Sequence, residues 1–107
     1  MNAGRKSGQN RDQRQRIIEV ITLLGVGEVV SYGDVAESAG LPGRARLVGS
    51  ILAEGTVDIA WWRVVTASGR LVPGLETEQG ALLGAEGVEV RAGRVCRAPA
   101  GRFSRCL

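Results

Sequence analysis

The sequence predicts a single, mainly α-helical domain with short β-hairpins. Its 107 residues suit one domain. Several segments repeat apolar residues at helical spacing between capping residues and glycines. Short β-branched runs separated by turn-forming residues follow them in the second half of the chain. A hydrophobic content of 44% is that of a globular protein.

The first helix follows a polar start. Residues 1–11 are rich in Gly, Asn, Gln, Arg and Lys, which predicts a disordered basic N-terminus. Asp12 and Gln15 then form a capping-box pattern, and isoleucines and a leucine recur at helical spacing until Gly25. We therefore predict a helix over about residues 12–24.

Two shorter helices should come next. Ser31 with Asp34 three positions later is a second capping-box pattern, and it predicts a helix that ends at Gly40. After a turn, a third helix is expected over about residues 43–53. Two short helices joined by a tight turn make a helix-turn-helix candidate.

One face of the third helix combines arginines with small residues. Small residues would let a sugar-phosphate wall come close, while an arginine reaches further. An ordinary solvent-exposed face explains the same pattern equally well. The residues in question are Arg44, Ala45, Arg46, Gly49 and Ser50.

The only two tryptophans, Trp61 and Trp62, stand side by side at the head of a β-branched run. A strand is expected here, and strand neighbours point to opposite faces, so one indole should pack while the other lines a surface or pocket. A core tryptophan beside a partly exposed one is the simpler interpretation. A hairpin turn should follow at 66–69, with its return arm at 70–72. We then expect a last helix at 75–85, a strand at 88–90, a turn at 91–94 and a final extended segment from Val95.

The composition excludes several kinds of site. No histidine is present, which rules out Ser-His-Asp and Cys-His catalysis. Cys96 and Cys106 have no CxxC spacing, and we expect neither a disulfide, a metal nor a cofactor. No apolar run of membrane-spanning length and no signal peptide are visible, so a cytoplasmic protein without membrane contact is expected.

The net charge of +3 is concentrated at the two ends of the chain. Residues 1–16 carry five basic side chains and one acidic, and residues 91–107 carry five arginines and no acid. Basic ends around an acidic middle fit a polyanionic partner, although basic termini are often only solvated.

Four blocks of the chain resemble, in order and spacing, the C-terminal DNA-binding domain of O6-alkylguanine-DNA alkyltransferases. The resemblance covers about residues 13–91 and implies a winged helix-turn-helix domain at 12–95, followed by a basic C-terminal tail at 96–107. The blocks are residues 31–36, 40–42 with 45–49, 62–65 with Gly69, and 82–88.

The tryptophan pair lies where those enzymes have their reactive motif, Pro-Cys-His-Arg-Val. This chain reads Ala60-Trp61-Trp62-Arg63-Val64 at that place. Tryptophan in place of the nucleophilic cysteine is typical of alkyltransferase-like proteins, which bind O6-alkylguanine in duplex DNA, flip it out and do not repair it. Alkyl transfer to sulfur needs a thiolate, and an indole neither ionises nor attacks in its place. We therefore expect no enzymatic activity.

The resemblance also implies roles for particular residues. Arg46 would be an arginine finger that replaces the flipped base in the stack. Tyr32 would promote rotation of the base and line the lesion pocket together with Trp61 and Val64, the last through its backbone carbonyl. The DNA-binding residues would be Ser31, Tyr32, Arg44, Ala45, Arg46 and Gly49.

This chain departs from the family pattern near the motif. Ala60 and Trp62 replace the usual proline and histidine, so Glu86, which completes the Cys-His network in the enzymes, has no imidazole to orient. Gly55 replaces an asparagine, and the loop from it to Ala60 is shortened.

The implied function is a DNA damage sensor. It would bind double-stranded DNA containing O6-alkylguanine through the minor groove as a nucleoid-associated monomer, flip the base without dealkylating it, and flag it to nucleotide excision repair proteins. Two alternatives remain open. One is a winged-helix DNA-binding protein without lesion specificity, and the other is an active alkyltransferase using Cys96 or Cys106, although neither cysteine matches a motif position.

Overall fold

The computed structural model describes residues 2–55 and 57–104. The architecture is mainly helical with short strands, as predicted. Its helices are α1 (Asn2–Thr22), α2 (Tyr32–Ser38), α3 (Ala45–Glu54) and α4 (Glu76–Ala85), with one 3₁₀ turn at Trp61–Arg63. Its strands are β1 (Glu28–Ser31), β2 (Val64–Val65), β3 (Glu89–Arg91), β4 (Arg94–Arg97) and β5 (Ala100–Gly101).

Helix α1 begins ten residues before the predicted start. The backbone is helical from Asn2, where the sequence predicted disorder over 1–11; Met1 lies outside the described residues. Asp12 is therefore not a helix cap, and its carboxylate instead pairs with Arg16 one turn later at 3.2 Å. No proline interrupts this segment, and extending a helix from an already packed turn costs far less than nucleating one.

The helix-turn-helix forms as the capping residues predict. The Ser31 hydroxyl accepts a hydrogen bond from the Asp34 N–H, and the Asp34 carboxylate accepts one from the Ser31 N–H, both at 3.0 Å. Helix α3 starts at Ala45, two residues later than expected, and ends where Gly55 adopts a left-handed conformation with φ of 65°. Helices α2 and α3 contribute Val35, Ala36, Val48 and Ile51 to one hydrophobic core.

The segment with the two tryptophans is not the strand that the β-branched run suggested. The Arg63 N–H donates to the Ala60 carbonyl at 3.1 Å, which closes a 3₁₀ turn, and only Val64 and Val65 continue as β2. The predicted turn after it is present, with the Gly69 N–H bonded to the Thr66 carbonyl at 2.8 Å. Its return arm does not form a strand with β2, because Arg70 bridges to β4 instead.

Strand β1 is the centre of a three-stranded sheet and pairs in parallel with both β2 and β5. Strands β3 and β4 form an antiparallel hairpin whose turn residues, Ala92 and Gly93, both have positive φ, as two-residue hairpin turns require. In the described part of the chain, none of the helices is both long and apolar enough to cross a membrane.

The C-terminal segment is part of the fold rather than a tail over most of its length. Strand β4 extends through Arg97, Ala98 is buried, and the Arg102 N–H donates to the Val29 carbonyl at 2.9 Å. The prediction of a tail at 96–107 is therefore wrong for residues 96–104, because pairing with β1 offsets the entropy of ordering them. Residues 105–107 lie outside the described part.

Two hydrophobic cores meet at the tryptophan segment. The first lies between α1, α2 and α3, and the second between the sheet, α4 and the β3–β4 hairpin. Val64 belongs to the first core, whereas Val65 and the partly buried Trp62 belong to the second. The 3₁₀ turn is thus fixed from both sides, which holds Trp61 beside α3.

Candidate nucleic-acid interface

The exposed face of α3 is open and basic. The side chains of Arg44 and Arg46 are exposed and form no hydrogen bond or ion pair within the part of the chain that the structure describes. A Cβ added to Gly49 would meet nothing within 4 Å. Packing inside the protein therefore does not require glycine at this position, and the missing side chain leaves room for a surface that comes close from outside.

A cavity of about 350 Å³ lies beside this face. We call it the Tyr32 cavity. It brings Tyr32, at the start of α2, together with Gly49 on α3 and Trp61 in the 3₁₀ turn. The other residues that line it are Leu52, Ala53, Gly55, Val72, Leu75 and Glu78. Burial raises the pKa of the half-buried Tyr32 hydroxyl, so the phenol stays neutral near pH 7 and can act as a donor.

The two indole rings take different directions although they are not in a strand. Their planes meet at 86° with centroids 6.3 Å apart, an edge-to-face arrangement. Trp61 lines the Tyr32 cavity, while Trp62 packs against the second core. The two indoles take these directions because of the 3₁₀ turn, and not because strand neighbours alternate.

Glu86 is the centre of a polar network behind the tryptophan turn. Its carboxylate accepts hydrogen bonds from the Trp62 indole N–H at 2.8 Å, from the Gly27 N–H at 2.7 Å and from the Arg63 guanidinium at 2.8 Å. Arg63 also donates to the Leu24 carbonyl at 2.9 Å. This network ties the turn to the end of α1 and to the residue after α4.

The charge of Glu86 is stabilised by its partners. Burial alone raises the pKa of this carboxyl, but hydrogen bonds from Arg63, Gly27 and Trp62 and the positive charge of Arg63 outweigh it and lower the pKa to about 2. No imidazole is present for Glu86 to orient, and the carboxylate accepts the Trp62 indole N–H instead. An indole N–H can orient a carboxylate but cannot accept a proton.

Gln79 is a site residue that the sequence predictions missed. Its fully buried side chain accepts from the Val72 N–H at 2.7 Å and donates to the carbonyls of Trp62 and Val64 at 3.1 and 3.3 Å. It therefore connects one wall of the Tyr32 cavity with the tryptophan turn. The available signal was its position four residues after Leu75 and four before Leu83, which places an amide on the apolar face of α4.

Two of the predicted site residues lie elsewhere. Val64 is fully buried in the first core, and its carbonyl accepts from Gln79 rather than facing the Tyr32 cavity. Ser31 is also buried, and its hydroxyl accepts the hydrogen bond that caps α2. Ala45, by contrast, is only partly buried and lies on α3 next to the two exposed arginines.

A second cavity of about 430 Å³ adjoins the first. We call it the Asp58 cavity. Trp61, Leu52 and Gly55 line both cavities. The remaining lining residues of the Asp58 cavity are Ile51, Val57, Asp58, Ile59 and Trp62.

The described residues offer no thiol or metal site in either cavity. Cys96 is exposed on β4 and lines neither of them; Cys106 lies outside the described part. Within residues 2–55 and 57–104, no group of three His, Cys, Asp or Glu side chains could hold a metal ion. The cavities present a phenol and two indoles, and the neighbouring face of α3 presents exposed guanidinium groups.

Comparisons with known proteins agree with this geometry. The family model described as 6-O-methylguanine DNA methyltransferase, DNA binding domain, matches residues 12–88. A DNA base-flipping protein from Escherichia coli K12 is 42% identical over 82 residues, which cover 71% of this chain and 62% of that protein. A DNA base-flipping protein from Vibrio parahaemolyticus is 39% identical over 80 residues, covering 70% of this chain and 79% of that one.

Comparison with solved structures points to the same family. S. pombe Atl1 in complex with damaged DNA containing O6-carboxymethylguanine superposes with a TM-score of 0.69 at 25% identity, covering 76% of this chain and 81% of that one. This chain spans only about 62% of the length of the E. coli relative. It belongs to the family of the 6-O-methylguanine DNA methyltransferase DNA-binding domain, among the alkyltransferase-like proteins.

Proposed function

We propose that this protein is a DNA damage sensor that binds O6-alkylguanine in duplex DNA through the minor groove and flips it into the Tyr32 cavity. The observation that carries the proposal is that Tyr32, Gly49 and Trp61 line one cavity beside the open face of α3. Arg46 lies three residues before Gly49, on the same face of that helix. A base leaving the duplex at Arg46 would therefore have a receptacle within reach.

Arg46 and Tyr32 would share the work of base flipping. The planar guanidinium of Arg46 can stack in the vacated position and hydrogen-bond the orphaned cytosine. Tyr32 would crowd the backbone beside the lesion and then contact the extruded base. Flipping costs a few kcal/mol, and it costs less for an alkylated guanine whose pairing is already weakened, which gives the protein a source of selectivity.

The alkyl group would stay on the guanine. By the resemblance, Trp61 stands in for the nucleophile, and its indole cannot form the thiolate that alkyl transfer requires. Trp62 donates its N–H to Glu86 and offers no basic nitrogen. With no histidine in the sequence, nothing near Trp61 could serve as an imidazole base.

The direct test compares two duplexes that differ by one base, O6-methylguanine or guanine, at a stated physiological salt concentration. We expect a preference of roughly tenfold or more for the methylated duplex. Equal affinity would contradict the lesion sensor. Mass spectrometry of the protein after incubation should show no added methyl group, and an adduct on Cys96 or Cys106 would contradict the non-enzymatic role.

We further propose that the bound complex marks the lesion for nucleotide excision repair. The resemblance to alkyltransferase-like proteins supports this step, and a bound protein that does not repair needs a process that does. Adding the protein should raise the rate at which a purified nucleotide excision nuclease incises an O6-alkylguanine duplex. An unchanged or reduced incision rate would contradict the coupling.

A winged-helix DNA-binding protein without lesion specificity is the second candidate. Exposed arginines on and beside β4 favour general binding to phosphates. They are Arg94 and Arg97 on β4, and Arg70, whose backbone forms a β-bridge with that of Arg94. This candidate predicts equal affinity for the two duplexes at every salt concentration. The same titration therefore separates the two functions.

A further inference from the structure

Arg70 and Arg94 stand opposite each other on neighbouring antiparallel segments. Backbone hydrogen bonds of 2.8 and 3.0 Å flank the pair, each running from the residue after one arginine to the residue before the other. The arginines therefore form a non-hydrogen-bonded pair, in which the Cα atoms lie about 4.5 Å apart and the side chains come closest. Leu71 and Val95, the residues that follow them, are buried, so the two arginine side chains point to solvent on the same face.

The positive charges of this pair are not compensated within the described residues. Neither side chain forms a hydrogen bond or an ion pair with any residue of 2–55 or 57–104. Arg91 stands opposite Arg94 on its other side, and the nearby Glu89 carboxylate pairs with Arg91, at 3.8 Å, rather than with Arg70 or Arg94. Like charges directly opposite each other destabilise a sheet. An anion held between the two guanidinium groups would remove this repulsion.

The close approach of the two segments is built into the backbone. Gly69, immediately before Arg70, has a φ of 89°, and a Cβ at this position would lie 2.8 Å from the Val95 carbonyl oxygen and 3.3 Å from Arg94 Cγ. Glycine satisfies both the conformation and the space. The stems of the two arginines are therefore held side by side, and only the guanidinium ends need to be ordered when an anion binds.

The pair lies next to the Tyr32 cavity without lining it. Arg70 is two residues before Val72, which lines that cavity, and two residues of extended chain span at most about 7 Å. The turn before Arg70 is also tied to the start of α2, because Arg102 donates to a carbonyl of that turn at 3.2 Å and to the Asp34 carboxylate at 3.0 Å. A duplex whose flipped base enters the Tyr32 cavity would therefore bring its flanking phosphates close to the two arginines.

We propose that Arg70 and Arg94 together hold one backbone phosphate of the duplex that carries the flipped base, outside the contact made by α3. The inference rests on the proposed function, which places that base in the Tyr32 cavity. A guanidinium is planar and donates two parallel N–H bonds to phosphate oxygens, so two of them can bind one phosphate from two sides. Phosphates follow each strand at about 3.4 Å of helix axis, so the partner phosphate lies within roughly six base pairs of the lesion.

The experiment neutralises the DNA phosphates one at a time. Single methylphosphonates replace phosphates on either strand, within about six base pairs of an O6-methylguanine. At one position the replacement should weaken binding of the wild-type protein by roughly fivefold, the size of an exposed charge pair. It should have no effect on the Arg70→Gln/Arg94→Gln double variant, which has already lost the contact.

Arg44→Gln is the control for this series, because it removes the same kind of charge from α3 instead. This variant should keep the wild-type loss at the sensitive position. If every methylphosphonate weakens binding of the wild-type protein and of the double variant equally, the proposal is overturned.

A salt series gives an independent measurement. The double variant should reduce the slope of the logarithm of the association constant against the logarithm of salt concentration by about 1. The reduction should be the same for methylated and unmodified duplexes, because a phosphate contact carries no base information. The melting temperature of the double variant should be unchanged or slightly higher, since a like-charge pair is removed. An unchanged slope, or a slope that changes for only one duplex, would contradict the arginine site.

Failure of the proposed function gives a different result. Equal affinity of the wild-type protein for the O6-methylguanine and guanine duplexes would contradict the lesion sensor. The salt slopes of the wild-type protein and the double variant stay measurable in that case, because they do not require a fixed position on the DNA. Loss of the coupling between the arginines and one phosphate, with the lesion preference intact, contradicts only the arginine site.

Discussion

Arg46 is exposed at the start of α3, where it has no partner among the described residues. Its partners would exist only in a flipped complex. Arg46→Ala should therefore weaken binding to an O6-methylguanine duplex by roughly 30-fold, the size of an interface hot spot, with an unchanged melting temperature. Fluorescence anisotropy and thermal denaturation measure the two quantities.

Arg44→Ala is the matched control on the same helix. A residue that contacts only phosphates contributes equally to modified and unmodified duplexes, so this variant should weaken both by a similar factor. If Arg46→Ala also lowers the affinities for the modified and unmodified duplexes equally, Arg46 contacts only phosphates, and its assignment as an arginine finger is wrong.

Trp61→Cys places a thiol at the position that the resemblance assigns to the nucleophile, without supplying a base. Because the Trp62 indole donates to Glu86 and cannot accept a proton, the new thiol should stay mostly protonated and transfer no methyl group. Mass spectrometry after incubation with O6-methylguanine DNA makes the check. Stoichiometric methylation of this variant would show that the histidine is dispensable in this fold.

Glu86 should make folding stability depend on pH. Its pKa of about 2 in the folded protein lies below the ordinary value of 4.5, so its stabilisation is complete above 4.5 and is lost as the pH falls toward 2. At neutral pH, Glu86→Gln should lower the free energy of unfolding by about 3 kcal/mol, since it also leaves Arg63 without its charged partner. Urea denaturation should show this difference shrinking between pH 4.5 and 2.

Glu37→Gln serves as the control for that series, because Glu37 is exposed on α2. Its effect on the unfolding free energy should stay small at every pH. A constant difference between wild type and Glu86→Gln across the acid range would contradict the role given to the ionised carboxylate.

Helix α2 depends on its capping box. The Ser31 hydroxyl accepts from the Asp34 N–H, and Tyr32 is the first residue of the helix it caps. Ser31→Ala should cost about 1 kcal/mol of unfolding free energy, whereas Ser38→Ala at the exposed end of the same helix should cost little. Chemical denaturation of both variants makes the comparison, and equal losses would contradict the capping role.

The elements that could be predicted from sequence are those defined by local signals. The Ser31–Asp34 pattern sets the start of α2, and Gly40 takes positive φ just after that helix, where its end was predicted. The tryptophan turn could not be predicted in this way. Its 3₁₀ conformation depends on Arg63 bonds to Glu86 and Leu24, which are 23 and 39 residues away in sequence.

Part of the candidate site could likewise be predicted from the sequence, and part could not. The resemblance supplied Tyr32, Gly49 and Trp61, which the structure brings to one cavity. It also supplied Val64, which the register of β1 with β2 buries in the core. Gln79 and the Trp62–Glu86 bond were missed, because hydrogen bonds between distant elements leave no periodic signal in a single sequence.

At the scale of the whole molecule, the basic surface should govern how binding responds to salt. Arginines on α3 and β4 are exposed, while Arg63 and Arg102 are neutralised by Glu86 and Asp34. The logarithm of the association constant should fall linearly with the logarithm of salt concentration for both methylated and unmodified duplexes. Titrations over a salt series should give similar slopes, because lesion contacts in the cavity release no counterions. A clearly steeper slope for the methylated duplex would assign the selectivity to phosphate contacts instead.

We expect the protein to extrude the alkylated base from the duplex and to hold it unchanged. Pyrrolocytosine placed opposite O6-methylguanine reports this directly, because its fluorescence rises when the partner base leaves the stack. The fluorescence should rise when the wild-type protein binds and should rise less with saturating Arg46→Ala, and all of the O6-methylguanine should be recovered from the DNA afterwards. Saturated binding without any change in fluorescence, or loss of the methyl group from the base, would contradict it.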